Sequence, residues 1–565
     1  MSERTRTRHT LKWKTALVIA LASFVLLILG VLIGRYELLP ISRLAYIVKS
    51  IKKDITVFIV GEDKFVQQTL DKHYPKGGQP SAATSRTLDT SRLPLLLTKF
   101  SLADSGQFAA SEELVGGSVA KVEGALFVMD KLGSIFNFKN NLMRKMEYGV
   151  FPNGIGESIK NSVEPLSPTA FRALYIAYDS AHGTIYVSLQ KFNSVSKHAR
   201  FNISSISIDK KTLEKTGNWQ TVFETEDIPD DLSFRGATGG KLIVAGNVLY
   251  FTIGDYNFGQ VPEKESELVA QKLSSSFGKI YEHDLTTKKT RLKSIGHRNP
   301  QGLVFTREGK LINAEHGPEG GDKLNIVSDG KNYGWPYTTY GTDYGTFGWP
   351  IKFKAPSIEF AQPLYAWVPS AAISPIIQIT EFNDRWNGDL LVGSLKAQSL
   401  FRLKIHNDRV IFSEPIWIGH RTRDIVQISD QIVLMTDDPA LVFISVDEKR
   451  LTENSKMQKN VELTPALAKC LNCHHFGQTN PSHLAPTLAN IMKKPIASDN
   501  FQRYSEALKK KGGTWDEESL AKFIGNPNEF APGSGMPSLG LSRGEIKEIV
   551  SALRGRAPLA ASAGN

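Results

Sequence analysis

The chain's two cysteines, Cys470 and Cys473, stand three positions apart, and His474 follows the second directly. With no other cysteine in 565 residues, a disulfide framework is excluded. Two thiols on one helical turn can each form a thioether with a haem vinyl group, and the adjoining imidazole can then ligate the iron. This Cys-x-x-Cys-His spacing is the c-type haem attachment signature. A zinc site would need four donors, and no second cysteine pair exists to supply them. A thioredoxin-like pair would sit beside a βαβ pattern, which is missing here. The iron needs a second axial ligand. The candidates are Met536, in the rigid turn Pro532-Gly-Ser-Gly-Met536-Pro, and His475, His483 and Met492. His475 adjoins His474 and cannot reach the opposite haem face. A thioether ligand would raise the iron potential relative to a second histidine.

A second group of chemistry-bearing residues lies between 296 and 437. It comprises Gly296-His297-Arg298-Asn299-Pro300-Gln301-Gly302, then Glu315-His316-Gly317-Pro318 with Asp322, then Asn332-Tyr333-Gly334-Trp335-Pro336. Lys396 follows in GSLKAQSLFRL, and Arg421 and Arg423 in HRTRDI. These motifs resemble the soluble PQQ-dependent glucose dehydrogenases and aldose sugar dehydrogenases, also called glucose/sorbosone dehydrogenases. The resemblance covers about residues 110 to 448 and is strongest after 294. It implies a six-bladed propeller that binds pyrroloquinoline quinone (PQQ), a planar tricarboxylate, together with a calcium ion. On the matching positions, Arg298, Asn299, Lys396, Arg421 and Arg423 are the implied PQQ contacts, and the carbonyls of Gly317 and Pro318 the implied calcium ligands. A guanidinium suits a carboxylate because its planar fork binds it bidentately, and calcium prefers such hard oxygens. One departure stands out. The family's general base is a histidine shortly before a Gly-Gly-Arg or Gly-Ser-Arg element. In the matching stretch, Arg235-Gly-Ala237-Thr-Gly-Gly240-Lys241, Ala237 occupies the histidine position and Lys241 the arginine position. Asp255, His297 and His316 are the candidates to replace that base. At the other end of the chain, Met536 on its Pro/Gly loop about sixty residues after His474 resembles the methionine ligand of class I cytochromes c.

The elements that must position these residues are legible in outline. A turn residue followed by an apolar β-rich run recurs at Gly124, Gly183, Gly246, Gly309, Gly388 and Asp430. Six units of roughly 60 residues suit four-stranded blades, and radial repetition of blades makes a β-propeller. It is expected over residues 105–450. The texture then turns helical, with amphipathic stretches at 515–524 and 543–553, so residues 460–558 are expected to form an all-α cytochrome c domain. Near the N-terminus, residues 15–34 run without a charge, long enough to cross a bilayer as a helix. A basic tail, residues 1–14, precedes them. The basic flank stays cytoplasmic, which predicts a single-pass transmembrane anchor in the bacterial inner membrane and a periplasmic bulk. Haem attachment to a c-type cytochrome agrees with that compartment. Residues 35–104 read as a stalk or linker.

The formal charge is +11, but lysines and arginines are scattered, with no basic run interleaved with aromatics. Nucleic acid is therefore not an expected partner. The leading reading is an oxidoreductase that oxidises an aldose or alcohol with PQQ and passes electrons through haem c to a respiratory acceptor. The alternative is an electron-transfer cytochrome whose propeller is inactive or only binds.

Overall fold

The computed structural model describes residues 83–90, 93–102, 108, 116–161, 171–228 without 194 and 197, 236–256, 268–342, 354–452, 464–476 without 472, and 485–554, with scattered residues between 49 and 57. The expected membrane-spanning segment, 15–34, lies outside these residues. Among the described residues no helix is long and apolar enough to cross a membrane.

Six antiparallel sheets form the blades of a propeller. Blade 1 spans 118–145, blade 2 173–227, blade 3 239–295, blade 4 299–367 and blade 5 373–417. In each, the strand that comes first in sequence is innermost, and the next three pair outward in order. The innermost strands, Ser118–Val122, Ala173–Asp179, Gly239–Ala245, Asn299–Phe305, Ile373–Gln378 and Thr422–Ile428, pack each on the next, and the last returns to the first. The ring is closed, so no sheet is left with an unprotected inner edge.

Each predicted turn residue opens the second strand of a blade. Gly124 and Gly388, for example, take left-handed φ angles of 81° and 91° in the hairpin between the first two strands. That conformation costs glycine no Cβ clash. In blade 6 the left-handed position belongs to Ser429 instead, φ 52°. The second strands are covered on both faces, as in Leu390–Ser394, where all five residues are buried. Burial on both faces makes a continuous apolar run rather than an alternating one, which is why these phrases recur visibly in the sequence.

Blade 6 corrects the expected domain boundary. Its three C-terminal strands end with Ala440–Val446, and the next strand outward is Pro94–Ser101, followed by Thr84–Asp89. Leu97 lies opposite Ile444 in this register. The stretch expected as the end of a linker therefore supplies two strands to the propeller. Its apolar residues Leu93, Leu95 and Leu97 are buried among residues of blades 5 and 6.

The C-terminal region is helical. Thr464 caps helix Pro465–Cys470 by accepting from Leu467 N at 3.2 Å. A reciprocal capping box between Asp516 and Ser519 starts helix Glu517–Gly525, which packs against the terminal helix Arg543–Arg554. Leu467, Trp515, Leu520, Phe523 and Ile549 belong to one buried cluster. The two predicted amphipathic helices thus form within a few residues of their expected bounds.

Leu97→Ala removes a buried side chain from the closing strand and should destabilise the propeller by about 2–5 kcal/mol. Denaturant titration followed by tryptophan fluorescence would report it, and an unchanged midpoint would show that the N-terminal strands do not stabilise the ring.

Candidate functional site

In an antiparallel blade the start of the first strand and the end of the second lie at the same edge. Arg172, Ala237, Arg298 and Arg421 each fall at or just before an innermost strand. Lys131, Asp255, Tyr256, Gly317, Pro318, Lys396 and Asp437 each fall just after a second strand. All therefore belong to one face of the propeller, and the residues predicted from the sequence converge there.

Beneath this face the blades are tied by buried polar groups. Lys241, on the innermost strand of blade 3, bonds Asp424 of blade 6 at 2.5 Å, and both are buried. The other oxygen of Asp424 accepts from Ser118 Oγ and Val119 N of blade 1. Ser118 Oγ in turn accepts from Ile176 N of blade 2. Thr252 Oγ1 of blade 3 donates to Pro300 O of blade 4, and Ser374 Oγ of blade 5 donates to Gln301 Oε1 of blade 4. Tyr175 of blade 2 lies 4.9 Å below Lys241 and within hydrogen-bonding reach of Ser374. Lys241, aligned with a family arginine, is thus a buried structural cation rather than a group open to the face. Asn299 also turns to structure, with its Oδ1 accepting from Gly239 N at 3.1 Å and tying blade 4 to blade 3.

The remaining predicted contacts form a cationic rim. Arg298 is buried, donates from Nη1 to Gly317 O at 2.7 Å and lies over the Trp335 ring at 5.5 Å. Arg421 and Arg423 share Asp437, with Arg421 Nε 2.6 Å from Oδ2 and Arg423 Nη2 3.2 Å from the same oxygen. Lys396 is exposed and reaches Glu319 at 3.2 Å, beside the Gly317–Pro318 turn. That turn is fixed by Asp322, which accepts from Gly317 N and from Ile373 N. A cation held by the carbonyls of Gly317 and Pro318 would share the first oxygen with the Arg298 guanidinium. Among the described residues no group of three or more acidic, histidine or cysteine side chains is gathered to hold a metal, so backbone oxygens would have to do so.

The position expected of a general base carries none. Ala237 is buried with φ 47°, and its carbonyl accepts from Tyr256 N at 3.0 Å. A Cβ at Gly254 would lie 1.8 Å from that carbonyl, so the turn is built around this close approach. Of the three replacement candidates, Asp255 accepts from Trp335 Nε1 at 2.7 Å. His297 is held between Ser294 and Glu315 at 2.9 and 2.8 Å and stacked on Tyr333. His316 differs, because its Nε2 is buried with no hydrogen-bond partner among the described residues. Burial, joined by Arg298, Arg423 and Arg421 and opposed by Asp322, lowers its pKa to about 4, so the ring is neutral at pH 7. That orphaned nitrogen among arginines fits a site shaped for an anion.

Sequence reasoning missed Lys131, Arg172, Tyr175 and Tyr256. Their only signal was position next to a strand end, and that became readable once the strand order was known.

In the helical region, Cys470, Cys473, His474 and Met536 line one cavity of about 400 Å³ with Pro486, Tyr504, Leu508 and Phe523. His474 Nδ1 donates to Pro486 O at 2.8 Å, which leaves Nε2 to act as a ligand. No disulfide joins Cys470 to Cys473. Two thiols, an oriented imidazole and a thioether around one apolar cavity fit a c-type haem. Met492 packs on the domain core outside this lining, and His483 lies outside the described residues.

Comparison with known proteins decides the class of the propeller. Its residues 173–442 match the glucose/sorbosone dehydrogenase family. These residues are a glucose/sorbosone dehydrogenase domain. An aldose sugar dehydrogenase of Escherichia coli is 28% identical over 248 residues, covering 42% of this chain and 66% of the relative. The crystal structure of a soluble aldose sugar dehydrogenase from Escherichia coli in the apo form aligns over 62% of this chain and 99% of its own, with TM-score 0.50 and 20% identity, and so shares the fold. The C-terminal region matches a cytochrome c homologue of Rickettsia prowazekii, 35% identical over 100 residues, covering 18% of this chain and 54% of that protein. The chain thus spans just under two thirds and about half of these two curated relatives.

Asp424→Asn leaves the Lys241 ammonium buried without its counter-charge and should cost about 3–5 kcal/mol of stability. The double variant Lys241→Met, Asp424→Asn should recover most of that loss. Equal stability of the single and double variants, measured by denaturant titration, would show that the pair does not hold the blades.

Proposed function

We propose that the chain is a membrane-anchored, periplasmic oxidoreductase in which the propeller oxidises an aldose or alcohol with PQQ and the haem c domain carries the electrons onward to a respiratory acceptor. The observation that carries this reading is the presence, on one polypeptide, of a glucose/sorbosone dehydrogenase propeller with a cationic mouth and a helical region with a haem-shaped cavity. Arg298, Lys396, Arg421 and Arg423 would hold the PQQ carboxylates, with Asn299 fixing the blade beneath them. Gly317 and Pro318 would offer carbonyls to calcium. Bound there, PQQ supplies a two-electron acceptor for the substrate's hydride. The haem would be joined to Cys470 and Cys473 and ligated by His474 and Met536. It accepts electrons one at a time, and tethering puts it near the propeller at an effective concentration in the millimolar range. The apolar run at 15–34 and its basic flank support the anchor and the periplasmic location.

A second reading, an electron-transfer cytochrome whose propeller only binds, is favoured by Ala237. Loss of a positioned base typically lowers the rate 10²–10⁴-fold. The whole chain, loaded with PQQ and calcium and offered a panel of sugars and alcohols, separates the two by haem absorbance. Substrate-dependent haem reduction is expected. Tight PQQ binding with no reduction by any substrate would leave the binding-only reading standing.

Met536→Ala should open the sixth iron position. Added imidazole should then bind, and the midpoint potential of the unliganded variant should fall below that of the parent in a potentiometric titration. An unchanged potential would assign the second ligand elsewhere.

A further inference from the structure

The cationic face divides by blade. The residues proposed to hold PQQ come from blades 4, 5 and 6. Blades 1, 2 and 3 contribute Lys131, Arg172 and Tyr256 to the same face, and no role has been assigned to them. Lys131 follows the second strand of blade 1, Arg172 precedes the innermost strand of blade 2, and Tyr256 follows the second strand of blade 3.

We propose that Lys131, Arg172 and Tyr256 form a subsite for a negatively charged group on the substrate, so that the enzyme takes an acidic sugar, one bearing a carboxylate or a phosphate, in preference to a neutral aldose. This rests on the oxidoreductase reading above.

The hydrogen-bonding inventory is the first argument. A neutral sugar presents hydroxyls that both donate and accept, and a site for it needs acceptors as well as donors. Arginine only donates, and so does lysine when it is protonated. The Tyr256 phenol is pushed above its ordinary pKa, chiefly by burial, so it keeps a proton to donate, although its oxygen can also accept. It is fully buried and its hydroxyl has no hydrogen-bond partner among the described residues. Two acceptors among the described residues are already engaged. Asp255 takes the Trp335 indole N–H, and Gln190 Oε1 takes Arg172 Nε at 3.1 Å. A lining in which Arg172 and protonated Lys131 can only donate, and Tyr256 carries an unpartnered hydroxyl among the described residues, favours a group that only accepts, which means a carboxylate or a phosphate.

Charge is the second argument. Lys131 and Arg172 are partly buried, and both act electrostatically with Arg423. Lys131 Nζ lies 5.9 Å from the Tyr175 ring centroid and makes a long 3.4 Å bond to Leu174 O. Burial first, then Arg172 and Arg423, draw its pKa down to about 7 against the pull of Asp424 and Asp437. Burial and Arg423 lower Arg172 to about 10. Like charges held together in a partly desolvated site disfavour one another, and an anion bound between them relieves both. Gln190, itself buried, fixes the guanidinium by its Nε. Tyr256 is fixed by its backbone bond to Ala237 and by edge packing on Phe277 at 5.3 Å. The three donors are therefore placed before a ligand arrives.

The test uses the full chain loaded with PQQ and calcium, and three substrates that share the oxidisable anomeric carbon: glucose, glucuronate and glucose 6-phosphate. Haem reduction is expected with a KM at least ten-fold lower for one of the acidic sugars, and whichever is preferred distinguishes carboxylate from phosphate. Lys131→Gln and Arg172→Gln should each reduce that preference about ten-fold or more, and Lys131→Arg should keep it. Calorimetric titration with the 1,5-anhydro analogues of the same sugars, which lack the anomeric hydroxyl, should give the same ranking without turnover. Equal KM and equal binding for neutral and acidic sugars would overturn the proposal. So would a preference that survives Lys131→Gln. Acid-selective binding of the analogues with no turnover of any sugar would instead retain the subsite and reject the oxidoreductase reading.

Discussion

The buried pair between Lys241 and Asp424 is the interaction around which the propeller is arranged. It joins blade 3 to blade 6, and the same carboxylate takes donors from blade 1. Blade 2 enters through Ile176 N on Ser118. An ion pair this deep loses hydration on both sides and is favourable only when its remaining bonding positions are filled. Those of the carboxylate are filled by a hydroxyl and backbone N–H groups, so one carboxylate fixes the rotation of four blades about the axis. The face above inherits its geometry from that arrangement, because each residue on it is one or two positions from an innermost strand or at the end of the strand beside it.

Closure is the other half of this constraint. A ring of blades is rigid only when its last sheet is complete, and here the missing outer strands come from residues 84–101. Their sequence gave little hint of this. Leu95 and Leu97 read as part of a stalk, because the stretch stands apart from the repeating phrase and its partner lies more than three hundred residues away. The repeat itself was legible because the second strand of each blade is buried on both faces, and its turn residue recurs at the same place. Strand order, and hence the common face, could not be read from local pattern, since pairing between strands distant in sequence leaves no periodic trace. The haem residues were legible for the opposite reason. Their chemistry demands two thiols and an imidazole within five residues, whatever the fold around them.

The site residues divide along the same line. Arg298, Lys396, Arg421 and Arg423 were found because they stand in recognisable motifs, and the structure gathers them at one mouth. Asn299 and Lys241 stand in the same motifs, yet their side chains serve the joints between blades. A motif records which residue types occur together, and it does not separate a group that meets a ligand from one that holds the strand beneath. Burial and partners make that distinction: Asn299 has a backbone donor at 3.1 Å, whereas His316, a candidate base rather than an implied PQQ contact, keeps a buried ring nitrogen without a partner among the described residues.

Ala237 can be understood against this charge pattern. The turn that holds it is crowded by Gly254 and bonded to the Tyr256 backbone. What surrounds that turn is a field of cations from four blades, with Arg172 and Lys131 on one side and Arg298, Arg421 and Arg423 on the other. A positive field stabilises a developing alkoxide as well as a bound anion, because both put negative charge where the donors point. In the proposed function it would lower the pKa of a substrate hydroxyl and lessen the demand on any single base. A histidine at this position would have its pKa depressed by burial and by the same cations, as His316 does, and so would be a weaker proton acceptor here than in a more open, less charged site. The cationic lining and an alanine at 237 are thus physically compatible, and in the proposed function the site would work through fixed charge more than through one proton-transferring side chain.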